Sequence, residues 1–138
     1  MIKVVVAGAA GRMGCRLVSL VKESTVLTLA GALEGAGHQS LGDDAGETAG
    51  VGRVGIAITD DLAALMERGE VVIDFSAPKA TLEHLRIVAQ YRRAMVIGTT
   101  GFSASELDEL KFLARQIPCV FSPNMSVGVN LIYKIIGE

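Results

Sequence analysis

Three glycines near the start of the chain stand where the backbone could bind a nucleotide phosphate. In VAGAAGRMG (6–14) they occupy positions 8, 11 and 14, directly after a run of valines. Gly8 permits a tight turn, Gly11 lets the backbone approach a phosphate, and Gly14 lets a following helix lie close to the sheet. The free N–H groups and positive dipole end of that helix would then face a pyrophosphate.

The turn alone does not decide between a ligand site and a simple strand-to-helix connection. The stricter spacing Gly-x-Gly-x-x-Gly would put glycine at Ala10 and Met13, although alanine is small enough for close approach. Arg12 would lie in the first helical turn, where the helix dipole disfavours a cation. A bound anion would explain that arginine, and so would a solvated side chain.

A carboxylate stands at the distance from the turn at which a dinucleotide site needs one. Glu34 follows the second predicted strand, twenty residues beyond Gly14, where such domains hold an acid that binds the adenosine ribose. An acid after a strand is also a common surface charge. Together with the turn it predicts a nicotinamide dinucleotide site. Because Gly35 follows, no adjacent arginine can hold a 2′-phosphate, which favours NADH over NADPH.

Small and polar residues also follow three later strands. Ligands of open parallel sheets bind outside the carboxyl ends of the strands, so these segments extend the predicted site. Thr99 and Thr100 offer hydroxyls, and Asn124 offers an amide suited to the carboxamide of nicotinamide. His38 and His84 have no evident partner, so we expect them to be structural or exposed. The three segments are DFSAP (74–78), GTTGF (98–102) and SPNMS (122–126).

The elements that must position these residues alternate along the chain. Short Val- and Ile-rich runs indicate strands covered on both faces, and apolar residues between them recur with the period of a helix. The pattern predicts an α/β fold, a Rossmann-type doubly wound and mostly parallel sheet with helices on both faces. The predicted strands are 3–8, 27–33, 54–58, 71–76, 94–98 and 119–122. The predicted helices cover 13–21, 62–66, 82–89 and 107–113.

Helix start signals agree with these assignments. Asp60 or Asp61 can cap the second helix, Pro78 suits the first turn of the third, and SASE (103–106) is a capping box for the fourth. The glycine-rich segment 35–53 has no period and predicts a mobile surface loop. That loop is either an exposed connector or a flap beside the adenosine end of a ligand.

The composition of the 138 residues fits one compact domain that binds a small molecule. Half of them are apolar, and thirteen basic against fifteen acidic residues give a net charge of −2 without runs of either sign, which argues against nucleic-acid and membrane partners. Cys15 and Cys119 stand far apart, so we expect buried thiols, no disulfide and no metal site. The amino terminus resembles neither a signal peptide nor a spanning helix, so we expect a cytoplasmic protein.

Five sequence blocks, taken together, resemble one enzyme family from end to end of the chain. They are VAGAAGRMG (6–14), ALE (32–34), VVIDFSAP (71–78), VIGTTGF (96–102) and FSPNMSVGVN (121–130). These look like the successive signatures of the dihydrodipicolinate reductase family, also called 4-hydroxy-tetrahydrodipicolinate reductase. The resemblance implies an NADH- or NADPH-dependent reductase of the diaminopimelate route to lysine, acting on a cyclic dicarboxylate imine.

The resemblance also implies which residues contact the cofactor, with Thr100 near the substrate as well. Many members have arginine where this chain has Gly35, which puts strong use of NADPH in doubt. Pro123 and Met125 replace alanine and phenylalanine, conservatively. The implied contacts are Gly8, Ala9, Ala10, Gly11, Arg12, Met13, Glu34, Phe75, Gly98, Thr99, Thr100, Ser122, Pro123, Asn124 and Met125.

The family's proton donor and the residues that grip its substrate would follow the end of this sequence, so we expect no catalytic residue here. The implied organisation is a dinucleotide-binding domain at 1–126 and, at 127–138, a hinge and first helix leading to a substrate and oligomerisation domain. Such a chain would bind NAD(P)H without catalysis, as a monomer or weak dimer, whereas the full protein would be a homotetramer. Two alternatives remain, the nucleotide domain of another NAD(P)-dependent dehydrogenase and a non-catalytic NADH-sensing module.

Overall fold

A computed structural model describes residues 1–122 as a β-sheet with helices packed on its two faces. The predicted domain boundary at residue 126 and the predicted helix after it lie outside the described residues. The strands are β1 (Ile2–Ala7), β2 (Leu27–Leu33), β3 (Ile58–Thr59), β4 (Val71–Asp74), β5 (Ala94–Ile97) and β6 (Cys119–Phe121). The helices are α1 (Arg12–Glu23), α2 (Ala45–Thr48), α3 (Leu62–Leu65), α4 (Pro78–Gln90) and α5 (Ala104–Ala114).

All named strands run parallel, in the order β3-β2-β1-β4-β5-β6, which confirms the predicted doubly wound sheet. The strand order reverses at β1, which has β2 on one side and β4 on the other. Ala7 is paired with Leu33 and with Asp74, so three strands end side by side at this point. Ligands of open α/β sheets bind at such a reversal, outside the carboxyl ends of the strands.

The sheet is buried on both faces, which is why its strands read as continuous apolar runs. Val4 and Val6 of β1 pack with α1, whereas Val5 packs on the opposite face with α3, α4 and α5. Leu17 of α1 and Leu85 of α4 are among the largest buried side chains of the two cores. Each helix therefore packs its apolar stripe on one face of the sheet, α1 on one side and α3, α4 and α5 on the other.

Helix starts follow the sequence signals closely. Asp61 caps α3 by accepting the Ala64 N–H, and Pro78 is the first residue of α4. At α5 the Ser103 hydroxyl accepts the Glu106 N–H, and the Glu106 carboxylate accepts the Ser103 N–H, forming the predicted capping box. These bonds satisfy donors that a helix end otherwise leaves without partners.

The third strand is much shorter than the predicted 54–58, and Asp44 is the reason. The Val54 and Gly55 N–H groups donate to the Asp44 carboxylate instead of to a neighbouring strand. Ala57 forms an antiparallel bridge with Asp44, so parallel pairing with β2 begins only at Ile58. The prediction of a strand over 54–58 was wrong in all but its last residue.

The same aspartate organises the glycine-rich segment, which is not irregular throughout. Asp44 caps the one-turn helix α2 by accepting the Gly46 and Glu47 N–H groups. Ala45 and Gly46 are buried, and α2 packs beside α1. A sequence signal for this helix was present in Asp44-Ala45-Gly46-Glu47, because an N-cap residue followed three positions later by Glu marks a helix start.

The connection between β1 and α1 depends on two glycines that meet in space. Gly8 has a positive φ of 75°, which side chains rarely allow. A Cβ on Gly14 would lie 1.9 Å from the Gly8 carbonyl oxygen and 2.8 Å from the Ala9 Cα. The first turn of α1 can therefore lie against the loop only because residue 14 has no side chain.

Replacing Gly14 with alanine tests this close approach. Alanine favours a helix by about 1 kcal/mol over glycine, yet the new Cβ meets backbone that cannot move aside. We expect Gly14→Ala to lower the free energy of unfolding by about 1–3 kcal/mol, the usual cost of overpacking, as measured by urea denaturation. Gly35→Ala is the matched control, because a Cβ there has no atom within 4 Å. Equal stability of the two variants would contradict this account.

The Asp44 contacts predict a specific acid sensitivity. Hydrogen bonds from backbone N–H groups, the Val54 N–H above all, lower the pKa of Asp44 from 3.8 to about 2. A lowered folded-state pKa adds stability that is fully present above the unfolded value and is lost as the pH falls. We expect the free energy of unfolding to fall between pH 4 and 2, and less steeply in Asp44→Asn than in the wild type. Asp43→Asn is the control, because it removes the neighbouring exposed carboxylate and none of the hydrogen bonds that Asp44 accepts.

Candidate functional site

A cavity of about 450 Å³ opens at the carboxyl ends of β1, β2 and β4. This is the place where the strand order reverses and where the sequence predicted a ligand. Its walls bring together residues from distant parts of the chain, including Gly8, Gly11, Glu34, Phe75 and His84. The turn, the acid after β2 and the segment after β4 therefore form one site.

The six predicted contacts in the turn differ in what they offer. Gly8, Ala10 and Gly11 line the cavity, and Gly11 also caps α1 without a side chain. Ala9 is fully buried in the core, and Met13 packs against that core. The Gly8 and Ala9 N–H groups both donate to the Leu33 carbonyl, and Arg12 begins α1 as an exposed residue.

Glu34 connects the second strand to this turn. Its Oε2 accepts the Ala10 N–H at 2.8 Å, and its Oε1 lies 3.9 Å from His38 Nε2. The side chain is 13% exposed and forms part of the cavity wall. A carboxylate has about four acceptor positions, so it can accept ligand hydroxyls in addition to the Ala10 N–H. The next residue, Gly35, is exposed with open space around it.

The segment after β5 separates two threonines that the sequence treated alike. Thr99 is 2% exposed, and its hydroxyl is bonded to the Thr81 hydroxyl at 2.7 Å, so the protein itself occupies that hydroxyl. Thr100 is exposed and remains available to a ligand. The Phe75 ring lies against Gly98, where a Cβ would come within 2.0 Å of the ring, so these two residues support the site by packing.

Ser122, at the end of β6, is buried, and its N–H donates to the Ile97 carbonyl. This hydrogen bond keeps the end of the described chain beside β5 and the Gly98 segment. The predicted contacts Pro123, Asn124 and Met125 lie outside the described residues.

The sequence missed a buried polar cluster centred on Asp74, the last residue of β4. Asp74 is fully buried, and its Oδ1 accepts the Ser76 N–H and hydroxyl. Its Oδ2 lies 2.6 Å from His84 Nδ1, so the structure supplies the partner that was not evident from the sequence. A signal was available in VVID (71–74), since an acid that ends a buried run requires hydrogen-bond partners.

The sequence predicted that both cysteines are buried, but in the structure each is only half-buried. Burial, and then the charge of Glu34, raises the pKa of Cys15, whose thiol donates to the Ala9 carbonyl. Burial also raises the pKa of Cys119 to about 11. Both groups are therefore protonated thiols at neutral pH, a form that is a poor nucleophile.

A second cavity, of about 330 Å³, lies along one face of β1, β4 and β5 and reaches the amino ends of these strands. Its walls are almost entirely apolar and include Ile2, Leu27, Val71 and Ala94, the first residues of four strands. A charged dinucleotide would meet mainly apolar side chains there, and the one acidic residue, Glu70, would repel its phosphates, so this cavity does not compete as the nucleotide site. Among residues 1–122, no cluster of three or more metal-ligating side chains occurs. Within the same range, no helix is long and apolar enough to cross a membrane.

Comparison with known proteins agrees with this geometry. A family model described as dihydrodipicolinate reductase, N-terminus, matches residues 2–125. The chain is 48% identical over 138 residues to the 4-hydroxy-tetrahydrodipicolinate reductases of Citrifermentans bemidjiense and Geobacter sulfurreducens. The match covers all of this chain and 52% of each relative, so the chain spans about half the length of the curated relatives it matches.

Solved structures show the same relationship at the level of the fold. A dipicolinate-bound dihydrodipicolinate reductase from Paenisporosarcina sp. TG-14 superposes with a TM-score of 0.71 at 28% identity, over 98% of this chain and 52% of that one. Homoserine dehydrogenase from S. aureus superposes with a TM-score of 0.66 over 88% of this chain and 32% of that one, but at 14% identity it shares only the fold. The family match, the identity to relatives and the arrangement of the turn and the acid agree, and the chain belongs to the family of dihydrodipicolinate reductase N-terminal domains.

Proposed function

We propose that this chain binds a reduced nicotinamide dinucleotide in the cavity at the end of β1. The observation that carries the proposal is the hydrogen bond that the Ala10 N–H donates to Glu34. It places a glycine-rich turn that can bind phosphate next to an acid that can bind a ribose. The 450 Å³ cavity includes both groups. The amino end of α1, a helix of twelve residues, adds a positive dipole end and free N–H groups beside Gly11.

The relatives are about twice as long as this chain. We propose that the whole protein to which this chain belongs reduces 4-hydroxy-tetrahydrodipicolinate. The bound cofactor would supply a hydride, and a group in the remainder of the protein would supply the proton. In this chain, Thr100 is the exposed residue at the end of β5 that could meet both cofactor and substrate. The part of the chain described here holds and orients the cofactor but has no assigned catalytic group.

We further propose a preference for NADH over NADPH. The 2′-phosphate of NADPH requires a cation near the ribose acid, and arginine after that acid commonly provides one. Here the following residue is Gly35, which is exposed and has no side chain. Glu34 itself would repel the phosphate, because both groups are negatively charged.

Removing the Glu34 carboxylate tests the ribose contact. We expect Glu34→Ala to weaken NADH binding about 10- to 100-fold, since hydrogen bonds to a charged group contribute about 1.5–3 kcal/mol. Isothermal titration calorimetry measures the change, and a matched unfolding curve checks that the turn remains folded without its Ala10 contact. Glu23→Ala, an exposed acid at the end of α1, is the control. Equal NADH affinity in wild type and Glu34→Ala would refute the assignment.

Adding a cation at residue 35 tests the preference. We expect Gly35→Arg to raise the affinity for NADPH relative to NADH about tenfold, because a guanidinium can form two hydrogen bonds with the 2′-phosphate. The open space around residue 35 can accept the side chain. Gly35→Gln adds a shorter polar side chain without charge and should leave the ratio near its wild-type value. A ratio that does not change in the arginine variant would count against the specificity argument.

A further inference from the structure

The starting observation is a carboxylate with no access to solvent beside the proposed cofactor cavity. Asp74 is 0% exposed, and burying a charge in this way is costly unless each oxygen has partners. One oxygen accepts the Ser76 N–H and hydroxyl, and the other faces His84 Nδ1 at 2.6 Å. The imidazole is therefore required as a partner, and its orientation is fixed from one side.

This contact determines what the other side of the ring can do. An ionised carboxylate can only accept a hydrogen bond, so Nδ1 carries the proton and donates it to Asp74 as a hydrogen bond, and in the neutral imidazole the lone pair lies on Nε2. Nε2 forms no hydrogen bond with any residue between 1 and 122. The side chain is 18% exposed and lines the 450 Å³ cavity. An oriented acceptor thus remains for a ligand.

The position of His84 indicates which half of a dinucleotide it would meet. The cavity that it lines continues past Glu34 to Gly35 and His38, and does not include Gly98 or Thr100. Ala80 of α4 and Ala77, the N-cap residue of that helix, line the same cavity at four and seven positions before His84. Two methyl groups beside an imidazole leave space for a flat ring or a sugar at the Glu34 end.

We propose that His84 is a further binding residue for the adenosine half of the cofactor, with Asp74 as its positioning residue. Nε2 accepts a hydrogen bond from the adenine amine or from an adenosine ribose hydroxyl, which are the donors that this half presents. The inference rests on the proposed dinucleotide function, which it extends from Glu34 to the wall formed by α4.

Ligands that contain only one half of the cofactor test the proposal. In calorimetric titrations at pH 8, His84→Ala should weaken NADH and ADP-ribose about 3- to 10-fold, the range of one neutral hydrogen bond, and leave reduced nicotinamide mononucleotide unchanged. Glu83→Ala, exposed on the same helix, is the matched control and should bind all three ligands like the wild type. His84→Gln, which offers a donor and an acceptor, should recover part of the loss.

The positioning role and the donor each have a separate measurement. In Asp74→Asn an amide N–H would face Nδ1 and place the imidazole proton on Nε2. We expect a selective loss for ADP-ribose if the adenine amine is the donor, because an amine cannot accept from Nε2–H, and a smaller loss if a ribose hydroxyl is the donor, because a hydroxyl can accept instead. Reduced nicotinamide hypoxanthine dinucleotide lacks the adenine amine. If the amine is the donor, His84→Ala binds this analogue as tightly as the wild type does, and if a ribose hydroxyl is the donor, the loss persists.

A measurement on the wild type keeps the proposal testable if a variant does not fold. ADP-ribose should shift the ¹⁵N resonance of His84 Nε2, and reduced nicotinamide mononucleotide should not. Two results would overturn the proposal, provided that the wild type binds NADH. One is that ADP-ribose leaves that resonance in place, and the other is that folded His84→Ala binds ADP-ribose as tightly as the wild type does. If the wild type binds neither NADH nor NADPH, the proposed function itself is wrong, and this inference with it.

Discussion

The close contact between Gly14 and the Gly8 carbonyl is the constraint on which the rest of the site depends. A side chain at residue 14 would overlap backbone atoms of the turn, so its absence sets how near α1 comes to β1. With the helix in that place, Ala9 enters the core, and the Gly8 and Ala9 N–H groups reach the Leu33 carbonyl. The Ala10 N–H is then directed at Glu34. The absence of one Cβ thus lets the turn form hydrogen bonds with the end of the second strand and with the acid that follows it.

Three carboxylates fix the segments that follow the strands, and each does so through backbone N–H groups. Asp44 accepts four of them, two from α2 and two from the segment before β3, Glu34 accepts one from the turn, and Asp74 accepts one from the segment after β4. Charge-assisted bonds of this kind are shorter and stronger than neutral ones. Loops that carry few apolar side chains can therefore hold a defined shape around the cavity.

Much of the fold could be predicted because its signals are local. Apolar runs indicated the strands, and the Ser103 box and Pro78 marked helix starts within a few residues. The prediction of a strand over 54–58 was wrong because the Val54 and Gly55 N–H groups donate to Asp44 and not to a neighbouring strand. Asp44 lies about ten residues earlier in the chain, and hydrophobic periodicity does not reveal such a contact. Local patterns succeed where each residue's partner is close in sequence.

Within the site, the same limit separates what was predicted from what was missed. The glycine spacing and Glu34 follow from known geometry, so their meeting was expected. Whether Thr99 or Thr100 can contact a ligand depends on Thr81 of α4. The Thr81 hydroxyl is hydrogen-bonded to the Thr99 hydroxyl, whereas Thr100 is exposed. The Asp74 and His84 pair likewise joins a strand end to the middle of a helix. Such contacts are determined by how α4 lies across the sheet, which a single sequence does not state.

The hydrogen bond between Glu34 and Ala10 has a consequence for the thermodynamics of association. A loop that must be ordered by its ligand loses conformational entropy at the moment of binding, and the observed affinity falls by that amount. Here a hydrogen bond within the protein restrains the turn, so part of this entropy is lost when the protein folds. A dinucleotide then has less of the turn to order, and more of its contact energy contributes to affinity.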